Sequence, residues 1–371
     1  MSRRFRDKIE RWLAEADVQI NGDRPWDLVV HDERLWARVF SRGSLGAGEA
    51  YMDGWWDSPR LDEFFHRILK ADLDRKIVPW REFFSVLQAR LINRQSGRRA
   101  FEVGRRHYDL GNDLYQCMLD RRMIYSCAYW KDAANLDEAQ EAKLDLVCRK
   151  LLLEPGLRVL DIGCGWGGTA RFMAETYRVE VVGITVSRNQ AEYAREVCKG
   201  LPVEIRLQDY REVRERFDRV VSIGMFEHVG YKNYRTFMEV VHRCLRPEGL
   251  FLLHTIGNNR SVTRTDPWIE TYIFPNSMIP SASQIARAAE GLFVLEDWHS
   301  FGPHYDRTLM AWFHNFHRRW PEIRDRYGER FYRMWKYFLL SSAGSFRARK
   351  NQVWQIVFSP GGVPGGYPSV R

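Results

Sequence analysis

Apolar residues at the start of the chain fall at helical spacing. Phe5, Ile9, Trp12 and Leu13 predict one amphipathic helix, and Leu61, Phe64, Phe65, Ile68 and Leu69 predict another. Between them Asn21-Gly22 marks a turn. A stretch carrying Gly43, Gly46, Gly48 and Gly54 reads as a glycine-rich loop running into Trp55-Trp56. It lacks the Gly-Lys-Ser/Thr of a nucleotide-binding loop. Residues 81–106 read as a basic helical connector interrupted at Ser96-Gly97. From residue 107 the texture changes, and strand-like apolar runs alternate with helical patterns. Residues 158–162, 179–184, 203–207, 219–223 and 250–253 predict strands, while 169–176 and 187–198 predict helices. Such alternation predicts an α/β fold with a largely parallel, doubly wound sheet. The Pro/Gly-rich tail after Pro360 reads as frayed.

Composition narrows the picture. A length of 371 residues suits two domains, and 45% apolar against 28% charged residues excludes wholesale disorder. No apolar run approaches the ~18–20 residues of a membrane-spanning helix. The first residues lack the apolar stretch of a secretory signal. Six cysteines without a Cys-x-x-Cys argue against a disulfide framework or structural zinc and fit a reducing cytosol. The net charge of +9 points to an anionic partner: nucleic acid, anionic lipid or acidic substrate. Residues 90–106 carry a net +5 and residues 318–350 a net +7. In the second run Trp320, Tyr327, Phe331, Tyr332, Trp335, Tyr337 and Phe338 interleave with the cations, a mixture used at anionic lipid surfaces. Single-stranded nucleic acid uses the same mixture, and a plain solvated helix face explains the charge equally well.

The densest chemical signal is Asp161-Ile-Gly163-Cys-Gly165-Trp-Gly167-Gly168, between the first predicted strand of the alternating region and its helix. Glycines there let the backbone approach a ligand, at a helix N-terminus that favours hydrogen-bond acceptors. Gly163, Gly165 and Gly168 satisfy a dinucleotide fingerprint, but the second strand ends Gly183-Ile-Thr185-Val-Ser187 without the ribose-binding acid. Asp161, directly before the glycines, suits instead the methyltransferase turn that packs on the amino-acid end of S-adenosylmethionine. Glu227, His254 and the segment 301–306 follow strands or precede a helix, so Glu227 and His254 can face the same cleft as the glycine turn. A paired carboxylate and imidazole can orient a proton acceptor or serve as one. His228 reads as a local structural residue, the Cys127 thiol as buried and inert, and His314 with His317 as structural or surface residues lacking a third ligand.

Taken in order, His107-Tyr-Asp-Leu-Gly-Asn-Asp-Leu-Tyr, Tyr125-Ser-Cys-Ala-Tyr-Trp, Val159-Leu-Asp-Ile-Gly-Cys-Gly-Trp-Gly-Gly, Gly224-Met-Phe-Glu-His-Val-Gly, Leu253-His-Thr-Ile-Gly, Tyr272-Ile-Phe-Pro-Asn and Gly344-Ser-Phe-Arg-Ala-Arg form a specific set. The chain resembles the cyclopropane-fatty-acyl-phospholipid synthases, the group that includes the mycolic-acid cyclopropane synthases. Its glycine-rich, Trp-Trp first part is similar to the longer bacterial phospholipid enzymes.

The resemblance implies a class I methyltransferase domain, a Rossmann-like doubly wound sheet of seven strands, over residues 107–371, behind a small, mainly helical lipid-binding domain over 1–80. It implies S-adenosylmethionine on Tyr125, Ser126, Asp161, Gly163, Gly165, Gly167, Thr185, Val186, Gln190, Asp209 and Tyr210. It also implies a bicarbonate ion held by the side chains of Glu227, His254 and Tyr305 and by the backbone of Cys127 and Ile256. Ser342 stands where some members carry cysteine. The expected activity is cyclopropanation of cis-unsaturated phospholipid acyl chains. The protein would be cytoplasmic, a homodimer at the inner face of the cytoplasmic membrane, with no nucleic-acid partner. Aromatic faces such as Tyr129, Trp130 and Phe226 would stabilise a carbocation. Rival readings are methylation without ring closure, a basic nucleic-acid methyltransferase, which would need a base-readout motif not seen here, and a lipid-binding protein with a relic site.

Overall fold

A computed structural model describes residues 2–76 and 111–371. The expected connector at 81–106, the basic run at 90–106 and residues 107–110 of the first motif lie outside the described residues. The chain forms two compact units. Of the described residues, the first comprises 2–76, 263–275 and 305–351; the second comprises 111–262, 276–304 and 352–371. This corrects the expected division, which gave everything after residue 106 to one domain.

The physical reason lies in the first unit. Helix Glu329–Arg347 packs on helices Arg34–Met52 and Leu61–Lys70; it buries Trp335, Tyr337, Phe338 and Leu339, and the Tyr337 ring meets Tyr51, Trp56 and Phe65. Helix Ser2–Glu15 buries Ile9 and Leu13, as the spacing predicts. Strands β1 (Val29–Val30) and β2 (Trp56–Asp57) form a small antiparallel pair. The glycine stretch expected as a loop is helical. Residues 34–52 run as one helix kinked at Gly43, whose φ of 55° and ψ of −133° leave the helical region. Gly48 admits a neighbour rather than a turn: a Cβ there would lie 2.3 Å from the Trp268 ring.

Part of the interleaved aromatic and basic run packs within this unit, while Arg318, Arg324, Arg326 and Arg330 stay exposed. Phe331 stacks on Trp335 and Tyr332 on Phe316. Arg347 pairs with Asp62, Glu63 and Asp306, Arg333 with Asp57, Arg330 with Asp53, and Lys350 with Asp72. Much of the expected lipid-facing mixture is therefore a packing and ion-pair seam of this unit.

The second unit is built on a seven-stranded sheet. Its strands are β3 (Arg158–Ile162), β4 (Glu180–Thr185), β5 (Val203–Leu207), β6 (Phe217–Ile223), β7 (Leu245–Asn258), β8 (Val294–Ser300) and β9 (Asn351–Ser359). Their spatial order is β5-β4-β3-β6-β7-β9-β8. From β5 through β7 neighbours are parallel, and β8 meets β9 antiparallel. Period-2 alternation divides the central strands between two cores. Leu160, Val220 and Phe251 face one; Val159, Val221 and Leu252 face the other. Chain order reverses between β3 and β6, so the carboxyl ends of those strands form the switch point where α/β sheets bind ligands. The tail does not fray. The Tyr367 hydroxyl donates to the Lys150 carbonyl at 2.7 Å, and Arg371 grips Asp297 through both terminal nitrogens at 2.6 and 2.7 Å.

Candidate active site

At the carboxyl end of β3, Gly163, Gly165 and Gly167 take φ values of 87°, 55° and 85°, a left-handed run that side chains resist. Gly163 and Cys164 donate their N–H groups to the Ile184 carbonyl at 2.9 and 3.0 Å, which folds the turn over β4. Gly167 precedes helix Gly168–Tyr177 with no side chain capping it, leaving first-turn N–H groups for an acceptor. A Cβ on Gly163 would lie 2.7 Å from that of Met225, and one on Gly224 would lie 3.9 Å from that of Ser126. The glycine turn, the turn after β6 and the 125–127 segment therefore meet.

Asp161 is buried, and its Oδ2 meets no hydrogen-bond partner among the described residues. Burial pushes its carboxyl up to about 7, against the opposing pull of Lys143. The Tyr210 side chain is also buried, with the Arg211 guanidinium 4.9 Å from its ring centroid. Across β4, the Thr185 hydroxyl donates to Gln190 Oε1 at 3.0 Å and accepts the Ser187 N–H at 3.2 Å on either side of Val186. Ser187 in turn caps helix Arg188–Val197. Asp209 accepts the Arg211 N–H at 2.9 Å, fixing the short turn that presents Tyr210. The predicted cofactor residues thus surround one sheet end.

Three residues in this region were not singled out in the sequence. Gln140 donates to the carbonyls of Ile124 and Ser126 at 3.2 and 2.9 Å. Lys143, fully buried, donates from Nζ to Ser126 Oγ at 3.0 Å. Desolvation lowers its ammonium to about 8, opposed by the nearby Asp120, Cys127 and Asp161. The available signal was two polar residues on the apolar face of the helix bearing Leu136, Ala139, Leu144 and Val147. Asn112 is the third: it accepts from Trp166 Nε1 at 2.9 Å and donates to Asn189 at 3.0 Å. Tyr115 packs between Trp166 and Tyr125.

Glu227 follows β6 in a short helical turn, Phe226–His228, and His254 lies within β7, which continues past it to Asn258. His254 pairs in register with Ile223, and its carbonyl accepts the Gly224 N–H at 2.9 Å. Glu227 Oε1 accepts the Ile256 N–H at 2.8 Å, while Oε2 has no partner among the described residues. Burial pushes the Glu227 carboxyl up to about 7, and the Ile256 N–H opposes it. Burial, then the charges of Lys143 and Lys150, hold His254 well below the ordinary imidazole range, so it is neutral.

The remaining candidate residues are placed as follows. The Ile256 N–H is committed to Glu227, and its carbonyl accepts the Thr255 hydroxyl at 3.1 Å. The buried Cys127 thiol donates to the Ala128 carbonyl at 3.3 Å. Tyr305 belongs to the first unit, with its ring on Phe346 and Trp312. Phe226 is buried in the core, stacked on Tyr234 at 4.2 Å and in edge contact with Phe237. Tyr129 is ringed by His304, Phe301 and His299, and the Trp130 N–H donates to His304 Nδ1 at 2.9 Å. Burial alone takes His228 to about 4, consistent with a structural neutral ring. His317 meets the Tyr332 hydroxyl at 2.6 Å, and no metal-ligating cluster occurs among the described residues.

The profile of the mycolic acid cyclopropane synthetase family matches residues 95–356. Cyclopropane-fatty-acyl-phospholipid synthase of Escherichia coli (strain K12) is 56% identical over 94% of this chain and 92% of its own length. A probable fatty acid methyltransferase of Pseudomonas putida is 39% identical over 68% of this chain and 67% of its own. The cyclopropane synthase MmaA2 from Mycobacterium tuberculosis superposes with a TM-score of 0.66 at 34% identity, covering 70% of this chain and 98% of its own. Mycolic acid cyclopropane synthase CmaA1, complexed with SAH and CTAB, superposes at 0.65 with the same identity and coverage. On the strength of the sheet order, the glycine turn and these likenesses, the chain belongs to the cyclopropane synthetase family of S-adenosylmethionine-dependent methyltransferases.

Proposed function

We propose that this protein transfers a methylene from S-adenosylmethionine to the cis double bond of unsaturated phospholipid acyl chains, closing a cyclopropane ring with bound bicarbonate as proton acceptor. The observation that carries the reading is the placement of Glu227, in the turn just past β6, and neutral His254, on the adjacent β7, beside the glycine turn. When bound, S-adenosylmethionine supplies an electrophilic methyl group, and bicarbonate supplies a compact base. The residues fit the cofactor. Asp161 Oδ2 is a buried group awaiting a polar partner, and Gly165 leaves open space where a side chain would project. Burying such groups unpaired costs free energy that a polar ligand recovers. Glu227 Oε2 is the corresponding acceptor on the anion's side: once ionised, it can take the hydrogen bond of a bicarbonate hydroxyl. His254 offers a ring N–H to the same anion, and the apolar surroundings keep out water that would trap a cation.

The substrate is proposed to be met at the inner surface of the cytoplasmic membrane by a cytoplasmic, homodimeric protein that takes no nucleic acid. The net charge of +9 supports an anionic surface, and no helix among the described residues is long and apolar enough to cross a membrane. The test is turnover with and without bicarbonate, alongside Glu227→Gln. Bicarbonate depletion and the substitution should each reduce turnover, the latter about a hundredfold or more, while calorimetric binding of S-adenosylhomocysteine stays unchanged. Full turnover without bicarbonate would remove the ion from the account.

A further inference from the structure

A row of polar side chains crosses the sheet beside the site. His254 lies on β7, Gln355 on β9, and His299 on β8 opposite Gln355 in antiparallel register. Gln355 is fully buried, an unusual place for an amide in a strand whose neighbours Trp354 and Ile356 fill the core. Its Nε2 lies 3.3 Å from His254 Nδ1. On the far side of the row, Lys150 Nζ lies 3.0 Å from His299 Nδ1 and 3.7 Å from Asp297.

We infer that Gln355 is a positioning residue that fixes the tautomer of His254, leaving its single ring proton on Nε2. An amide nitrogen only donates, so the Nδ1 that faces it must present its lone pair. A proton on Nδ1 would set two donors against each other in a site without water to separate them. Protonation of the whole ring is opposed by burial and by the buried amines of Lys143 and Lys150. His254 is therefore neutral, with one N–H, and that N–H points away from Gln355. The consequence rests on the proposed function: His254 donates a hydrogen bond to the small anion and does not itself take the substrate's proton. The reverse assignment, with Gln355 Oε1 accepting from Nδ1–H, would leave a lone pair on Nε2 and make His254 a base.

The experiment is an imidazole nitrogen NMR spectrum of the full-length protein labelled with 15N-histidine, with His254 assigned by its loss in His254→Gln. The wild type should show Nε2 protonated and Nδ1 bare, unchanged from pH 6 to 9. Gln355→Leu should remove the lock and give a mixture of tautomers. Gln355→Glu, nearly isosteric, should move the proton to Nδ1. Both variants should lower kcat about tenfold or more, with KM for S-adenosylmethionine within twofold, since the lost contact orients a donor and not the cofactor. A wild-type ring protonated on Nδ1, or a Gln355→Glu spectrum and kcat unchanged from wild type, overturns the inference. Turnover independent of bicarbonate, with the Nε2 tautomer observed, would instead overturn the proposed function and leave the role of Gln355 standing.

Discussion

Replacing Asp161 with asparagine should make the protein more stable and poorer at holding its cofactor. The carboxyl is 2% exposed, and its Oδ2 has no partner among the described residues. Burial raises it from 3.8 to about 7. Below about pH 4 the folded and unfolded chains both carry this proton, and ionisation has no effect. Between about 4 and 7 the unfolded chain ionises while the folded one keeps its proton, so stability falls as pH rises. Above about 7 the whole penalty is present. Three pH units at about 1.4 kcal/mol each give about 4 kcal/mol. Asparagine has the same shape and no charge to desolvate. The Asp161→Asn gain over wild type should therefore approach that figure at pH 8, several degrees in Tm, and vanish near pH 4. The same substitution removes a charged acceptor facing the cofactor, worth about ten- to a hundredfold in affinity. Thermal melts from pH 4 to 8 and titration calorimetry with S-adenosylhomocysteine read both effects. A stability difference that does not change with pH, or an unchanged affinity, would refute the reasoning.

Lys143→Met removes the donor that fixes Ser126, so affinity for S-adenosylhomocysteine should fall about tenfold by calorimetry. Because the wild-type ammonium ionises near 8 rather than 10.5, wild-type stability should rise between those pH values, and Lys143→Met should lack that rise in denaturant titrations. Gly48→Ala drives a methyl into the Trp268 ring and should cost roughly 1–3 kcal/mol in thermal unfolding, with a changed near-ultraviolet tryptophan signal. Retention on anionic vesicles should weaken from low salt to 0.5 M in sedimentation assays; salt-insensitive retention would assign binding to apolar insertion instead.

Most of the sheet was readable because its strands are short runs rich in Val, Ile and Leu, and β3 and β6 end in glycine turns, whereas β8 and β9 were not predicted. The predicted strands at 158–162 and 203–207 match β3 and β5 to the residue, and Ser187 caps the helix it was expected to open. β7 runs well beyond the predicted 250–253, because Arg246, Pro247 and Glu248 hid its start behind an exposed polar segment. The glycine stretch misled for a different reason. Glycine marks turns locally, yet Gly48 serves a tertiary contact with Trp268, more than two hundred residues away, that no local pattern records. The partition into units failed in the same way, since residues 305–351 pack on the first helices through aromatics that the sequence equally allowed to face lipid. In the site, Asp161, Glu227 and His254 were found because each sits near the end of a strand predicted from the sequence, although β7 in fact continues past His254 to Asn258. Lys143 and Gln355 were missed because each lies mid-element, and only the fold brings them to Ser126 and His254.

The central claim is tested most directly by the product. Purified protein would be incubated with S-adenosylmethionine, bicarbonate and anionic vesicles of a cis-monounsaturated phospholipid, and the lipid examined by proton NMR. Upfield ring protons appearing as the olefinic signal disappears are the predicted result. A new methyl or methylene signal without ring protons, or an unchanged lipid while the cofactor binds, would contradict it.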